Sequence, residues 1–220
     1  MIACWSPKGG SGTTVVAATL GLLLAEELRG GAVVADLEGD VPIVLGMADP
    51  PSDRGLRQWL AASADVGVDA LRRLLVPADA PGLSVLPAGA AGAAGGAGDG
   101  RADDLVTALS GLGPPVVCDC GTLRDDAEVS VAAGATLSLC VVRPCYVALR
   151  RALRAPVRPS GVVLVTEPGR SLGRRDVENV LGAPVRAEIE LDPLVARAVD
   201  AGLLATRLPR GLHRALRDAA

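Results

Sequence analysis

Residues 6–14, with the sequence SPKGGSGTT, combine the residue types that bind phosphate. They follow a short apolar run, MIACW, and precede a helix-like segment. Gly9, Gly10 and Gly12 permit backbone angles and a close approach that let successive N–H groups face an anion, and a helix N-terminus adds partial positive charge. The order strand, glycine-rich turn, helix therefore predicts a phosphate-binding loop. A purely structural turn is the alternative.

Two threonines end this loop. Thr13 stands where a standard phosphate-binding loop has its lysine, and Thr14 stands where that loop has the Ser or Thr that ligates magnesium. Thr14 could therefore supply a metal ligand, whereas Thr13 offers an uncharged hydroxyl. The loss of a charge-assisted bond to phosphate costs about 1.5–3 kcal/mol, or roughly ten- to a hundredfold in affinity. Weak nucleotide binding and weak or absent catalysis are expected, because charge neutralisation is the main contribution of such sites.

Lys8 is the only lysine of the chain, since the other 21 of the 22 basic residues are arginine. A compact ammonium group fits among phosphate oxygens in a way that a broad planar guanidinium does not, which is a physical reason for a lysine at this position. We therefore expect Lys8 to contact phosphate. The alternative is an accidental, solvated lysine.

Apolar runs of four to eight residues recur between helix-like segments, which is typical of strands that are buried on both faces of a parallel sheet. The predicted strands are residues 2–5, 32–36, 83–86, 115–119, 136–142, 161–166 and 185–189. The predicted helices are residues 13–28, 54–62, 67–75, 101–110, 125–133, 145–154, 173–181, 193–201 and 210–218. This order predicts an α/β fold with a doubly wound, mostly parallel sheet in a three-layer sandwich. Residues 1–220 are expected to form a single domain, with a Gly/Ala-rich surface loop at 87–100.

The composition indicates a cytoplasmic protein. The longest apolar stretch, residues 15–25, is shorter than the roughly 20 residues of a membrane span, and no signal peptide is visible at the start. The five cysteines lie mostly in apolar runs, so we expect small core residues, with a metal or redox cluster as the alternative.

Between Arg143 and Arg175 there are eight arginines and one acid, Glu167. That segment is either a solvated helix face or a surface for nucleic acid, acidic lipid or a protein partner.

The stretch KGGSGTT resembles the deviant Walker A motif, KGGxGK[ST], of the MinD/ParA superfamily, and Lys8 matches its signature lysine. In that family the lysine reaches across a nucleotide-sandwiched homodimer to the partner's phosphates. The hydroxyl residue at Thr13 is most similar to the CpaE/TadZ branch, whose members help to place pilus-assembly machinery. The resemblance implies a P-loop NTPase-like fold that binds ATP with Mg²⁺.

Two later segments are similar to further family motifs. Residues 33–47, VVADLEGDVPIVLGM, resemble switch I, which implies Asp36 near the metal and Glu38 as the carboxylate that orients the attacking water. Residues 116–122, VVCDCGT, resemble Walker B. The resemblance implies that Asp119, at the end of a buried strand, is the carboxylate that contacts the ligands of the metal. Glu38 is one methylene longer than the usual aspartate.

The family often presents an asparagine to adenine after the sixth strand, whereas this chain has Thr166 and Glu167 there. The C-terminal segment PRGLHRALRDAA has only two large apolar residues, so we expect a packed helix with His213 at the surface and no peripheral membrane contact.

The leading hypothesis from the sequence is an ATP-dependent dimerising switch or scaffold that recruits protein partners in pilus assembly or cell division. The alternatives are a slow ATPase that uses Asp36, Glu38 and Asp119, a structural relic that binds no nucleotide, and a nucleic-acid binder that uses the arginine-rich segment. The structural relic ranks below the switch because it would have no use for Lys8. Nucleic acid is possible but not favoured.

Overall fold

The computed structural model describes residues 1–63, 66–90 and 100–219. Strands and helices alternate along these ranges. The strands are β1 (Ile2–Trp5), β2 (Ala32–Asp36), β3 (Val76–Pro77), β4 (Leu83–Leu86), β5 (Val116–Asp119), β6 (Leu137–Val142), β7 (Gly161–Thr166) and β8 (Val185–Glu190). The helices are α1 (Thr13–Glu27), α2 (Val41–Leu45), α3 (Leu56–Ala61), α4 (Val68–Leu74), α5 (Arg101–Ser110), α6 (Asp126–Gly134), α7 (Tyr146–Ala152), α8 (Arg174–Leu181), α9 (Pro193–Asp200) and α10 (Arg210–Leu216).

The strands form one sheet in the order β3-β4-β2-β5-β1-β6-β7-β8. Every neighbouring pair is parallel except β3 and β4, which are antiparallel. Strands β2 to β5 all lie on one side of β1, and strands β6 to β8 lie on its other side. The strand order therefore reverses at β1. Ligands of open α/β sheets bind beyond the carboxyl ends of the strands at such a reversal. The prediction of a doubly wound, mostly parallel α/β sheet is confirmed.

Two apolar cores fill the space between the sheet and its helices. One contains Trp5, Trp59 and Leu105 and lies beneath α3 to α8. The other contains Leu20 and Leu139 and lies beneath α1, α2, α9 and α10. Because the central strands have a core on each face, their sequences are continuous apolar runs rather than alternating ones. Each fully buried large side chain contributes about 1.5–3 kcal/mol to folding.

The predicted helices and strands are present, with ends that differ by no more than two residues, but two short elements were not predicted. Helix α2 has five residues, too few for a helical period to show in the sequence. It is held by tertiary contact, since the Asp36 carboxylate accepts the Val41 N–H at 3.1 Å. Strand β3 has two residues and pairs only with β4. Of the predicted 87–100 loop, residues 91–99 lie outside the described ranges.

Buried polar side chains in the first core have specific partners. The indole N–H of Trp5 donates to the Ser138 hydroxyl at 3.0 Å. The Arg101 guanidinium donates to the Trp59 carbonyl at 2.6 Å and lies 3.8 Å from the centre of the Trp59 ring. These contacts satisfy the Trp5 N–H and part of the Arg101 guanidinium, whose buried Nε has no hydrogen-bond partner in the described chain.

Four of the five cysteines are buried in the cores, as predicted: Cys4, Cys118, Cys120 and Cys140. Burial raises the pKa of the Cys118 thiol to about 12, so it is not a reactive thiolate at neutral pH. Cys145 differs from the prediction because it is only half-buried. It precedes α7, where its sulfur accepts the Ala148 N–H at 3.4 Å.

The last helix of the chain, α10, is well packed. Helix α10 buries Leu212 and Leu216 in the second core, which agrees with the expected packed terminal helix. His213 is partly exposed, with its imidazole 3.9 Å from the Glu26 carboxylate. Within the ranges described, no helix has the length and apolar character needed to cross a membrane.

The sheet ends at β3 on one side and at β8 on the other. In β8, buried and exposed residues alternate, and the exposed positions are the charged residues Arg186, Glu188 and Glu190. One of the two residues of strand β3 is a proline, Pro77.

Candidate functional site

The phosphate-loop residues connect β1 to α1, and hydroxyl groups fix the loop's shape. The Ser11 and Ser6 hydroxyls both donate to the Lys8 carbonyl, at 2.8 Å and 3.0 Å. The Ser6 N–H donates to the Gly121 carbonyl at 2.8 Å, which joins the loop to the segment that follows β5. The two carboxyl-terminal strand ends at the reversal point are therefore held together at the backbone.

Glycines give the loop its open, anion-facing surface. Gly10 and Gly12 have φ values of 75° and 86°, in the left-handed region that favours glycine. A Cβ atom placed on Gly9, Gly10 or Gly12 would meet nothing within 4 Å, so the space in front of the loop is open. Gly12 precedes α1 and no side chain caps the helix there. The first N–H groups of α1 therefore need an acceptor, and an anion is the natural one.

A cavity of about 260 Å³ lies in front of the loop. It brings together six of the predicted phosphate-binding residues with the Glu38 carboxylate, and seven residues that were not predicted as site residues. The predicted residues are Gly9, Gly10, Ser11, Gly12, Thr13, Thr14 and Glu38. The others are Ser6, Val15, Asp40, Val44, Gly121, Thr122 and Arg124. Thr13 is buried at the position of the usual lysine.

Asp119 ends β5 and is fully buried beside the loop. Its Oδ1 accepts the Gly121 N–H at 3.2 Å, whereas its Oδ2 has no hydrogen-bond partner among the described residues. Burial raises the pKa of Asp119 to about 7, the neighbouring Thr14 hydroxyl opposes the rise, and the Asp36 carboxylate adds to it. A buried carboxylate oxygen without a partner fits a cation beside it.

Asp36 ends β2 directly opposite Asp119 in the sheet register. Burial raises its pKa to about 6. Its Oδ1 accepts the Gly39 N–H at 2.6 Å and its Oδ2 accepts the Val41 N–H at 3.1 Å. The sequence predicted Asp36 near a metal, and the structure places it next to Asp119 with both oxygens holding the loop that leads into α2.

The residues present fit a magnesium ion that arrives with a nucleotide. Within the described ranges, no group of three or more His, Cys, Asp or Glu side chains could hold a metal. Mg²⁺ is usually bound by one or two carboxylates together with phosphate oxygens and waters, so such a cluster is not required. The Thr14 hydroxyl and the unpartnered Asp119 oxygen would hold it, and the bound ion would neutralise phosphate charge.

Glu38 lies at the mouth of the same cavity and is held by two arginines. Its Oε1 is 3.3 Å from the Nη2 of Arg124. Arg57 donates to the Glu38 carbonyl at 3.0 Å and to the Leu37 carbonyl at 3.3 Å, which supports the backbone of the switch I segment. Sequence reasoning missed both arginines, because no motif marks them and they are distant from Glu38 along the chain.

Lys8 is exposed and does not line the 260 Å³ cavity. It lies on the other side of the loop, at a cavity of about 190 Å³ that Arg143 and Arg170 also line. The Glu167 carboxylate is 3.0 Å from Arg143 and 2.9 Å from Arg170, and these arginines lower its pKa. The ammonium group is thus at the outer face of the molecule.

A third cavity, of about 310 Å³, adjoins the loop and is mostly apolar. Val16 of α1 and Val165, Ile189 and Leu191 from the β7–β8 side line it, next to Gly12. Its position and size suit a nucleotide base. No sequence motif indicated it.

Neither of the residues at the family's base-recognition position lines this apolar cavity. The Thr166 hydroxyl donates to the Ile189 carbonyl at 3.3 Å, and Glu167 is held by its two arginines.

Solved structures provide the comparison with known proteins. A ParA family ATPase from Chlorobium tepidum TLS superposes with a TM-score of 0.80 at 20% identity, over 99% of this chain and 95% of that one. The septum site-determining protein MinD from Pyrococcus horikoshii OT3, complexed with Mg-ADP, gives 0.79 at 21% identity, over 99% and 93%. The cell division ATPase MinD of Pyrococcus furiosus gives 0.77 at 24% identity, over 99% and 95%.

No protein-family model matches the sequence, and no curated protein is similar to it in sequence. The structural likenesses extend over nearly the whole of each chain at low identity. They show that this chain has the fold of the ParA and MinD P-loop ATPases.

Proposed function

We propose that this protein binds MgATP as a member of the MinD/ParA superfamily with a deviant Walker A loop and a degenerate P-loop. ATP would act as the signal for a homodimer that recruits protein partners in an intracellular positioning system, most like the CpaE/TadZ branch. One observation carries the proposal. The open glycine loop and the uncapped start of α1 lie beside Asp119, whose buried oxygen has no partner in the described chain. This arrangement suits a phosphate with its magnesium ion.

The adjoining apolar cavity supports a nucleotide rather than free phosphate. It begins at the end of the phosphate loop, and its walls are mainly valine, isoleucine and leucine side chains, with Arg143, Glu190, Asp192 and Asp200 also in the lining. A base can enter an apolar slot of this kind while the phosphates lie on the loop. The relative complexed with Mg-ADP has the same fold, which supports the same ligand class here.

The position of Lys8 supports the dimer. Lys8 is exposed on the outer side of the loop, away from the cavity in which the same chain would hold the phosphates of its nucleotide. Exposed apolar side chains lie on helices that follow the carboxyl ends of the strands: Ile43 in the middle of α2 is 62% exposed, and Tyr146 at the start of α7 is 72% exposed, with Val147 beside it. A second copy that covers this edge would bury these side chains, and Lys8 would contact the phosphates of the nucleotide bound by that second copy.

The test measures MgATP binding by calorimetry and mass by light scattering on the wild type, Lys8→Ala, Lys8→Arg and Thr13→Lys. We expect ATP to convert wild-type monomer to dimer, Lys8→Ala to lose that conversion, and Lys8→Arg to recover it poorly because the guanidinium is broader. Thr13→Lys should tighten MgATP binding roughly ten- to a hundredfold by restoring a charge-assisted bond. A wild-type mass that is the same with and without MgATP would remove the switch.

Slow ATP hydrolysis is a second candidate, because Glu38 lines the phosphate cavity and could orient water there. It predicts phosphate release from wild type that Glu38→Ala abolishes. Equal release from both proteins would count against it.

Nucleic acid is less favoured as a ligand. Arg143, Arg170 and Arg174 of the arginine-rich segment are paired with glutamates, which reduces the charge available to a backbone of phosphates. Nucleic-acid binding would require an affinity that falls steeply with salt.

A further inference from the structure

Arg124 projects into the phosphate cavity from a backbone that is fixed on both sides. Leu123 has a φ of 54°, a conformation that non-glycine residues rarely adopt. The N–H of Arg124 donates to the Glu128 carboxylate, which also accepts the Asp125 N–H at the start of α6. The chain therefore turns sharply before Arg124 and is anchored immediately after it. Such an anchored position presents a side chain in a defined direction.

The guanidinium of Arg124 lies at the cavity with two side-chain contacts. Its Nε donates to the Thr122 hydroxyl at 2.9 Å, and its Nη2 is 3.3 Å from Glu38 Oε1. The side chain is 68% exposed, so it can change partners without opening a core. The Glu38 contact is an ion pair near the surface, and pairs of that kind contribute about 0–1 kcal/mol.

Arg124 is the only cationic side chain among the described residues that line this cavity. The two acidic side chains in the lining are Glu38 and Asp40, and Thr13 contributes no charge. The side chains that line this cavity sum to a formal charge of -1 with Arg124 and -2 without it, so Arg124 weakens the repulsion of a triphosphate. A guanidinium can also bind two phosphate oxygens through its planar fork.

We propose that Arg124 binds the terminal phosphates of the nucleotide within the same chain and thereby replaces the lysine that Thr13 displaces. This inference rests on the proposed MgATP binding. A triphosphate on the loop competes with Glu38 for the guanidinium, so nucleotide binding releases the Glu38 carboxylate. The released switch I segment, which Asp36 connects to α2, is then the part of the site that senses whether the nucleotide is bound.

The first experiment compares binding of MgATP and of inorganic tripolyphosphate by calorimetry. The variants are Arg124→Gln, Arg124→Lys, the double variant Thr13→Lys/Arg124→Gln, and the exposed control Arg73→Gln, which makes the same charge change away from the cavity. Arg124→Gln should weaken both ligands roughly ten- to a hundredfold, Arg124→Lys by less, and Arg73→Gln by no measurable amount. The double variant should bind within a few-fold of wild type, because the restored lysine takes over the missing charge.

A double-mutant cycle tests the exchange between Glu38 and phosphate. Glu38→Gln should tighten tripolyphosphate binding in wild type, and most of that gain should disappear in the Arg124→Gln background. A full gain in both backgrounds would show that Glu38 acts only by repelling phosphate, and it would overturn the exchange. Thermal melting of each variant establishes that it is folded.

The outcomes separate the two proposals. If wild type binds MgATP and Arg124→Gln binds it equally well, the role of Arg124 is refuted and the proposed function stands. If wild type binds neither ligand at millimolar concentration, the proposed function fails and this inference fails with it.

Discussion

Replacing Asp119 with asparagine is expected to stabilise the protein against urea at neutral pH in the absence of nucleotide and metal. The side chain is fully buried, one of its oxygens has no partner in the described chain, and its pKa is raised from 3.8 to about 7. The difference of about 3 units corresponds to about 4 kcal/mol at 1.36 kcal/mol per unit. Asparagine has nearly the same shape and carries no charge to bury.

The pH dependence follows from the direction of the shift. A carboxyl group whose pKa is raised on folding binds its proton more tightly in the native state than in the unfolded chain. Its contribution to stability is therefore present below the unfolded pKa of about 4 and is lost as pH rises toward about 7. Wild-type stability should fall over this window by up to about 4 kcal/mol from Asp119 alone. The asparagine variant lacks this component.

The assay is urea unfolding followed by circular dichroism in EDTA between pH 4 and pH 8. Wild type and Asp119→Asn should agree within about 1 kcal/mol at pH 4, and the variant should be about 2–4 kcal/mol more stable at pH 8. Asp79→Asn, at an exposed position, is the matched control and should follow wild type. Parallel curves for wild type and Asp119→Asn across the whole pH range would refute the reasoning, because Asp119 would then ionise without cost.

Three further substitutions test other contacts of the fold and the site. Ser138→Ala removes the acceptor of the Trp5 indole N–H and should cost about 1–3 kcal/mol of unfolding free energy in urea; no loss would mean that water replaces the hydroxyl. Arg101→Met should cost about 2–4 kcal/mol, because the Trp59 carbonyl and ring both lose the guanidinium, and an unchanged urea midpoint would contradict this. Gly121→Ala places a Cβ against the switch I carboxylate at a φ of 52°, so MgATP affinity measured by calorimetry should drop severalfold; unaltered affinity would count against the tight packing of this segment.

The sheet could be predicted from the sequence because its strands are short apolar runs separated by helix-like segments. Strand β5, VVCD, is buried along its whole length and reads as such in the sequence. Helix α2 and strand β3 could not be predicted, since local pattern does not determine either of them. The Asp36 carboxylate holds the start of α2, and β3 exists only as a partner of β4.

The candidate site likewise contains residues that the sequence predicts and residues that it does not. The glycine loop and Asp119 belong to linear motifs, so residue type and spacing alone predict them as site residues, and the structure places them side by side. Arg124 and Arg57 reach Glu38 only because the parallel strands bring their segments to one edge of the sheet, and a linear motif contains no such information. The side of the loop on which Lys8 lies is also a property of the folded loop alone.

The two borders of the sheet limit how copies of this chain can associate. On one border the strand is two residues long and includes Pro77, which has no N–H to offer a neighbour. On the other border, β8 presents Arg186, Glu188 and Glu190 at every second position. Backbone pairing of one molecule onto the next is therefore disfavoured on both borders, as in proteins that resist fibre growth. Association between copies would therefore use side-chain surfaces, without a shared ladder of backbone hydrogen bonds between the edges of their sheets.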